Sequence, residues 1–459
     1  MEEQHQENRM GTAPVHGLLI RMALPMMVSM FVQSLYNVVD SIFVARIGED
    51  ALSAVSMTFP MQMLMIATAL GTAVGMSALL SRFLGAKDFD RGNSVAQNGL
   101  FLAFMSYLAF ILISFAARPF MAFQIDDENI INLGTTYLTI VTRLSLFVFV
   151  QVMFERFLQG TGKTLYILFT QVAGAVTNII LDPILIFGLL GAPKLGVAGA
   201  AYATVIGQFV GMVMGFLLNY YKNKDVHFTA RGFRPEARKI KEIYKIGTPS
   251  IIMQSIASVM IFCINIILAK FGASAVATFG IYFKLQSFIF MSVFGLNNAI
   301  VPLVAYNYGA KKASRMKDVM GISTRYGVGI MLIGTIIFWS FPHALLSLFN
   351  PSAKMLYVGT SMLRIIAVNF PFAGYAITRG GVFQALGKSI YSMYISIARQ
   401  LLVIVPVAFL LSMLGDVRVI WWAFPIAEVV GFTMSVVYTK KIRKDIIEPI
   451  GSQVGFESN

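Results

Sequence analysis

The chain has 459 residues, 57% of them hydrophobic and only 13% charged, with a formal net charge of +14. Soluble domains carry roughly 25% charged residues, so this composition, with a mean hydropathy of +0.73, excludes an ordinary soluble globule and describes a polytopic membrane protein. A single cysteine, Cys263, excludes an internal disulfide, and the four histidines at 5, 16, 227 and 343 have no metal-ligand spacing.

Taken in order, residues 1–17 are polar and lack the basic start and cleavage site of a signal peptide, so they read as a short cytoplasmic tail. Apolar stretches long enough to cross a bilayer, about 20 residues each, then lie near 18–45, 52–80, 94–117, 131–158, 165–190 and 196–221. A polar, basic linker covers 222–242. A second set follows near 243–270, 276–306, 320–346, 354–385, 390–414 and 418–440, and 441–459 forms a second tail. The predicted fold is therefore an all-α membrane protein of twelve transmembrane helices in two six-helix lobes, 18–221 and 243–440.

The two halves repeat. A shift of 224 residues aligns Pro25 with Pro249, Gly48 with Gly272, Gln62 with Gln286 and Gly71 with Gly295, and lays LGAKDFDR (84–91) over YGAKKASR (308–315). One residue of slippage later, FLQGTGKTLY (157–166) overlays VFQALGKSIY (382–391). Six spans separate the copies, so they are parallel repeats, an architecture shared by secondary transporters.

With both termini in the cytoplasm, 25 of the 36 Lys and Arg fall in tails and inner loops. The positive-inside rule favours that orientation. It also accounts for the basic pI without nucleic acid, for which no binding motif is present.

Acids inside predicted spans are rare and expensive, and each marks a candidate site. Asp40 lies deep in the first span, with Asn37, Tyr36 and Gln33 three, four and seven residues before it on one helical face. Asp182 follows Asn178 by one turn and precedes Pro183. Glu155 adjoins Arg156, and Glu428 is the only acid in a second-half span. Lys284 and Arg399 read as counter-ions or as side chains that snorkel to the interface. The repeat partners of Asp40 and Asp182 are Ile264 and approximately Val407, so cation coupling is expected in the first lobe. Pro25, fifteen residues before Asp40, either bends the first helix as a conformational hinge or marks its start. No P-loop, hydrolase triad, zinc motif or dinucleotide fingerprint appears in a fitting context, so neither an enzyme nor an ATP-driven pump is expected.

The stretches QSLYNVVDSIFVARIGEDALSAVS, RFLQGTGKTLY and NIILDPILIFG resemble the multidrug and toxic compound extrusion (MATE) transporters over roughly residues 18–445. FERFLQGTGK and FPIAEVV look most like its bacterial MepA branch. The resemblance implies efflux of amphipathic, often cationic, compounds against an inward-running cation, without a cofactor. It implies that Asp40 and Asp182, with Gln33, Tyr36 and Asn178, bind the coupling ion, either a proton or sodium, the latter at Asp40, Asp182 and Asn178; Asn37 joins the set by its place on the helical face of Asp40. It further implies that Pro25 is the bending proline, and that Glu155, which stands where relatives carry Asn, adds a negative charge to the cluster. Organic cations or drugs and the bilayer are the expected partners of a monomer in the inner membrane. The competing expectation is a lipid-linked sugar flippase of the same superfamily, which the scarcity of central cations disfavours.

Overall fold

A computed structural model describes residues 8–226, 233–349 and 352–457. Residues 1–7 of the expected first tail, 227–232 of the expected linker and the last two residues lie outside that description. Among the described residues the elements are helical throughout. In the first half they are α1 (Arg9–Thr12), α2 (Val15–Ala45), α3 (Glu49–Gly85), α4 (Phe89–Ser114), α5 (Ala117–Ala122), α6 (Glu128–Arg143), α7 (Leu146–Gly160), α8 (Leu165–Phe187) and α9 (Val197–Lys222). In the second they are α10 (Ala237–Ala269), α11 (Ala273–Gly309), α12 (Ala313–Ser340), α13 (Pro342–Ser347), α14 (Ala353–Ala367), α15 (Phe370–Ala385), α16 (Ser389–Ile397), α17 (Val405–Ser412), α18 (Val417–Ile420), α19 (Ala423–Ile442) and α20 (Glu448–Glu457).

Ten helical stretches are long and apolar enough to cross a membrane, and two bent pairs bring the spans to twelve. The pairs are α6 with α7, bent by 47°, and α14 with α15, bent by 50°. Pro371, in the first turn of α15, explains the second break, because it has no N–H for the carbonyl of Ala367, where α14 ends, and its ring crowds that carbonyl. The eleventh span accommodates Pro406 differently, widening into a π-helix over Ala398–Ile404 between α16 and α17. Helices also run beyond the apolar windows. α2 starts at Val15 and α10 at Ala237, because RKIKEIYK is polar but made of good helix formers. The polar end of the chain is likewise helical through Glu457.

The repeat is written in the backbone as well as in the residues. Gly48 and Gly272, 224 apart, both take positive φ (152° and 99°) before α3 and α11. Lys87 and Lys311, also 224 apart, take φ 58° and 55° in the two GAK turns. Gly162 and Gly387, after the one-residue slip, take 80° and 72°. Left-handed backbone at matched positions shows that both halves follow a common chain path.

Contacts divide the chain into two compact units, residues 28–251 and residues 1–27 with 252–459. The chain changes unit inside two continuous helices, α2 and α10. In lipid there is little hydrophobic drive between helices, so close packing of small residues has to hold them together. α3 buries such a series, including Ala67, Gly71, Thr72, Ala73, Gly75, Ser77 and Ala78. α8 and α9 cross with Gly174 against Gly207, where an added Cβ on Gly207 would lie 2.8 Å from the Gly174 carbonyl oxygen. In the other unit, aromatic rings fill the centre: Phe279 stacks on Trp421 at 6.2 Å and meets Phe424 at 6.0 Å.

The α8–α9 crossing yields a stability prediction. Gly207→Ala forces the helices apart, at a cost of about 1–3 kcal/mol for an overpacked site. Gly329→Ala, where an added Cβ meets nothing within 4 Å, should be neutral. Thermal unfolding in detergent, followed by size-exclusion recovery, checks the pair, and equal melting temperatures would contradict the packing argument.

Candidate functional site

In the first unit, polar side chains from several helices gather around two acids. α2 carries Tyr36 and Asp40 one turn apart, and α8 carries Asn178 and Asp182 one turn apart. Asn178 and Asp182 are 2% and 0% exposed, and Asp40 is half-buried. The Asp40 and Asp182 carboxyl groups come within hydrogen-bonding reach of each other. Asp40 Oδ1 is buried and receives no hydrogen bond. An ionised carboxylate only accepts, so two of them at this separation require a shared proton or a cation between them.

Two residues the sequence did not single out complete the cluster. Tyr137 on α6 is 2% exposed, shares a hydrogen bond with Thr204 on α9, and lies near Tyr36, Asp40 and Asp182. With its amide turned to satisfy both ends, Asn178 donates to Asp182 Oδ2 at 3.3 Å and accepts from the Thr204 backbone N–H at 3.1 Å. The Gly174–Gly207 crossing brings α9 close enough for that bond: on α9, Gly207 is one turn from Thr204, and its Cβ would sit 3.2 Å from Asn178 Cβ. Nothing in the spacing of Tyr137 or Thr204 signals the role, because each lies on a separate helix far along the chain. The available signal is chemical: a tyrosine and a threonine inside apolar spans need partners.

The remaining candidates lie apart. The stripe on α2 divides, with Tyr36 and Asp40 turned toward α8 while Gln33 and Asn37 are exposed. Pro25 is buried ten residues into α2, so it does not mark the helix start. Glu155, expected to add its charge to the cluster, forms a second centre instead. Its Oε1 accepts from Gln151 and Thr170, each at 3.0 Å, and its Oε2 from Gln171 at 2.8 Å. Gln171 precedes Asp182 by eleven residues, about 16 Å along a helix rising roughly 1.5 Å per residue. In the other unit Glu428, 4% exposed, accepts from Arg399 at 3.1 and 3.0 Å, which makes Arg399 its counter-ion. Lys284 lies over the Phe349 ring at 6.0 Å.

Among the described residues no three His, Cys, Asp or Glu side chains gather as a metal site. Two carboxyls with neutral amide, phenol and hydroxyl groups form an all-oxygen donor set, which suits a proton or a hard cation rather than a soft metal. A helical membrane protein with internal parallel repeats and a buried carboxyl pair in one half has the architecture on which many transporters are built. The MatE family model matches residues 25–184 and again 249–410, and the chain belongs to that family. The two matched copies begin 224 residues apart, at the two repeat prolines. Membership of a transporter family places the chain outside the enzymes.

Among similar curated proteins, the multidrug export protein MepA of Staphylococcus haemolyticus is 28% identical over 432 residues, 93% of this chain and 94% of that protein. MepA of Staphylococcus aureus strain N315 is 29% identical over 420 residues, 91% of each. Among solved structures, an outward-facing multidrug resistance MATE transporter of the MOP superfamily aligns with a TM-score of 0.89 at 25% identity, covering 96% of this chain and all of that one. A MOP superfamily transporter from Pyrococcus furiosus aligns with a TM-score of 0.90 at 24% identity over 98% of this chain, a likeness of fold.

The buried ion pair supplies a prediction. Removing one partner of such a pair costs about 3–5 kcal/mol because the other charge is stranded. Arg399→Met should therefore lower thermal stability sharply, and Arg399→Met with Glu428→Gln should recover most of the loss. A double variant no more stable than the single would show that Arg399 acts through packing alone.

Proposed function

We propose that the protein is a cation-coupled multidrug exporter of a bacterial inner membrane, with both termini cytoplasmic, working as a monomer by alternating access of two six-span lobes. The observation that carries this reading is the juxtaposition of Asp40 and Asp182. A pair of acids that cannot both stay ionised takes up a cation readily and gives it up when its surroundings change. The proton is the coupling ion favoured here, because neutral donors surround the pair and Asp40 Oδ1 receives none of them. Asn178, Thr204, Tyr36 and Tyr137 orient the two carboxyls. The substrate class follows from the MepA relatives, whose names describe multidrug export. Glu155 and Glu428 are the further acids available to a cationic substrate, Glu155 with neutral partners and Glu428 already paired with Arg399. Lipid-linked sugars remain the competing cargo.

A cation bound by Asp40 and Asp182 changes α2 only as far as the two conformers differ in affinity for it. Pro25, inside α2, removes one backbone donor and makes the helix easiest to bend there. In proteoliposomes loaded with a fluorescent lipophilic cation, Asp40→Asn and Asp182→Asn should each reduce gradient-driven efflux at least tenfold. Because the two acids act as one unit, the double variant should be little worse than either single. Imposed proton and sodium gradients, applied separately, identify the ion. Wild-type efflux in Asp40→Asn at matched protein would overturn the assignment. Pro25→Ala should still bind substrate but lose its response to the driving gradient, and an unchanged response would remove the hinge.

A further inference from the structure

The N-terminal segment is gripped by side chains from a distant part of the sequence. Asn8 caps the four-residue α1, and Met10 and Gly11 are buried. Three carbonyls of this turn are taken by residues around the α11–α12 junction. Asn307 Nδ2 donates to the Met10 carbonyl at 3.0 Å, Lys312 Nζ to that of Gly11 at 2.9 Å, and Arg315 Nη2 to those of Met10 and Ala13 at 3.1 and 2.8 Å. Arg315 Nε also donates to Asn307 Oδ1 at 3.1 Å, so the gripping side chains brace one another. His16, at the start of α2, pairs with Tyr326 of α12. Further along α2, an added Cβ on Gly295 would meet Met27 Cγ at 2.7 Å.

Residues up to Met27 thus belong with 252–459, while Val28 onward, including Tyr36 and Asp40, belongs to the other unit. α2 is the member that reaches both the strap and the acid pair. The repeat contains a counterpart. Glu236, 224 residues after Thr12, donates its N–H to Asn98 Oδ1 at 3.0 Å and accepts from Ser94 Oγ, both on α4. Lys239 then lies over the Phe83 ring at 4.7 Å. In each half, the segment ahead of the unit-crossing helix is seated beside a GAK turn.

We propose that residues 8–14 form a releasable strap, seated on the α11–α12 turn in this conformation and unseated when α2 moves during transport. Its acceptors are all main-chain carbonyls, and water can take the donor's place at each of them. Release therefore leaves no stranded buried charge, unlike the breaking of an ion pair. Two of the three gripping side chains, Lys312 and Arg315, are long and only half-buried, so they can let go and re-engage without refolding α11 or α12. This inference rests on the transport reading, and the experiment separates the two.

Thr12 and Ser314 are exposed and take no part in the grip, so both can be changed to cysteine in a Cys263→Ser background. Spin labels on this pair, in the full-length protein in nanodiscs, report the strap by pulsed dipolar spectroscopy. Two distance populations are expected, with the longer one changing at least twofold between pH 5.5 and 8.5 or on adding ethidium. That response should vanish in Asp40→Asn. One narrow distance under every condition would overturn the strap as a moving part. The same cysteine pair, bridged by a bis-maleimide with an internal disulfide, should lose at least tenfold of its ethidium efflux and regain it on reduction. Unchanged efflux in the bridged protein would overturn the proposal. A reduced protein that transports nothing would count against the transport reading instead, with the distance measurement still deciding the strap.

Discussion

Two carboxyl groups held together inside a membrane-length bundle cannot both keep their charge without a cation between them. Asp40 and Asp182 impose that condition, and the helices around them are arranged to sustain it. α8 carries Asp182 and Asn178 on one face, α9 closes on α8 at a glycine pair, and that approach lets Thr204 meet Asn178. Tyr137 enters from α6 through the same threonine. Charge at the bilayer centre costs about 3 kcal/mol or more. A site that alternates between one proton or ion and none therefore has enough free energy at stake to bias a helix.

The halves share a chain path but not a chemistry. Turn conformations match at Gly48 and Gly272, at Lys87 and Lys311, and at Gly162 and Gly387. Yet Ile264, opposite Asp40 in the repeat, is 0% exposed in an apolar core, and Val407, opposite Asp182, packs against that same core. Glu428, the one acid within the second half's apolar windows, is neutralised by Arg399 at 3.0 Å. One half thus carries an open acid pair, and the other offers a closed ion pair within an aromatic core.

Much of the fold was legible in the sequence because apolar length and in-register Pro, Gly and Lys are direct consequences of bilayer thickness and turn geometry. The breaks at Leu144–Ser145 and Val368–Asn369 were not, since hydropathy is blind to a bend within an apolar run. Helix ends lie beyond the apolar windows for a similar reason: Lys, Arg and Glu extend a helix while ending an apolar window. At the site, Asp40, Asp182, Asn178 and Tyr36 were visible as polar groups at helical spacing. Helical spacing alone could not divide the α2 stripe, because which row faces α8 depends on the rotation of α2. Tyr137 and Thr204 meet the acids only through tertiary packing, and Glu155 lies too far along α7 and α8 to join them.

If Asp40 and Asp182 together hold one monovalent cation, as proposed, binding of a cationic substrate should release it. That stoichiometry can be measured by titrating the purified transporter with tetraphenylphosphonium in weakly buffered detergent, following proton release and, with radioactive sodium present, sodium release. About one cation per transporter should be released in the wild type and none in Asp182→Asn, which should still bind the probe. Binding without release in the wild type, or equal release from Asp182→Asn, would contradict it.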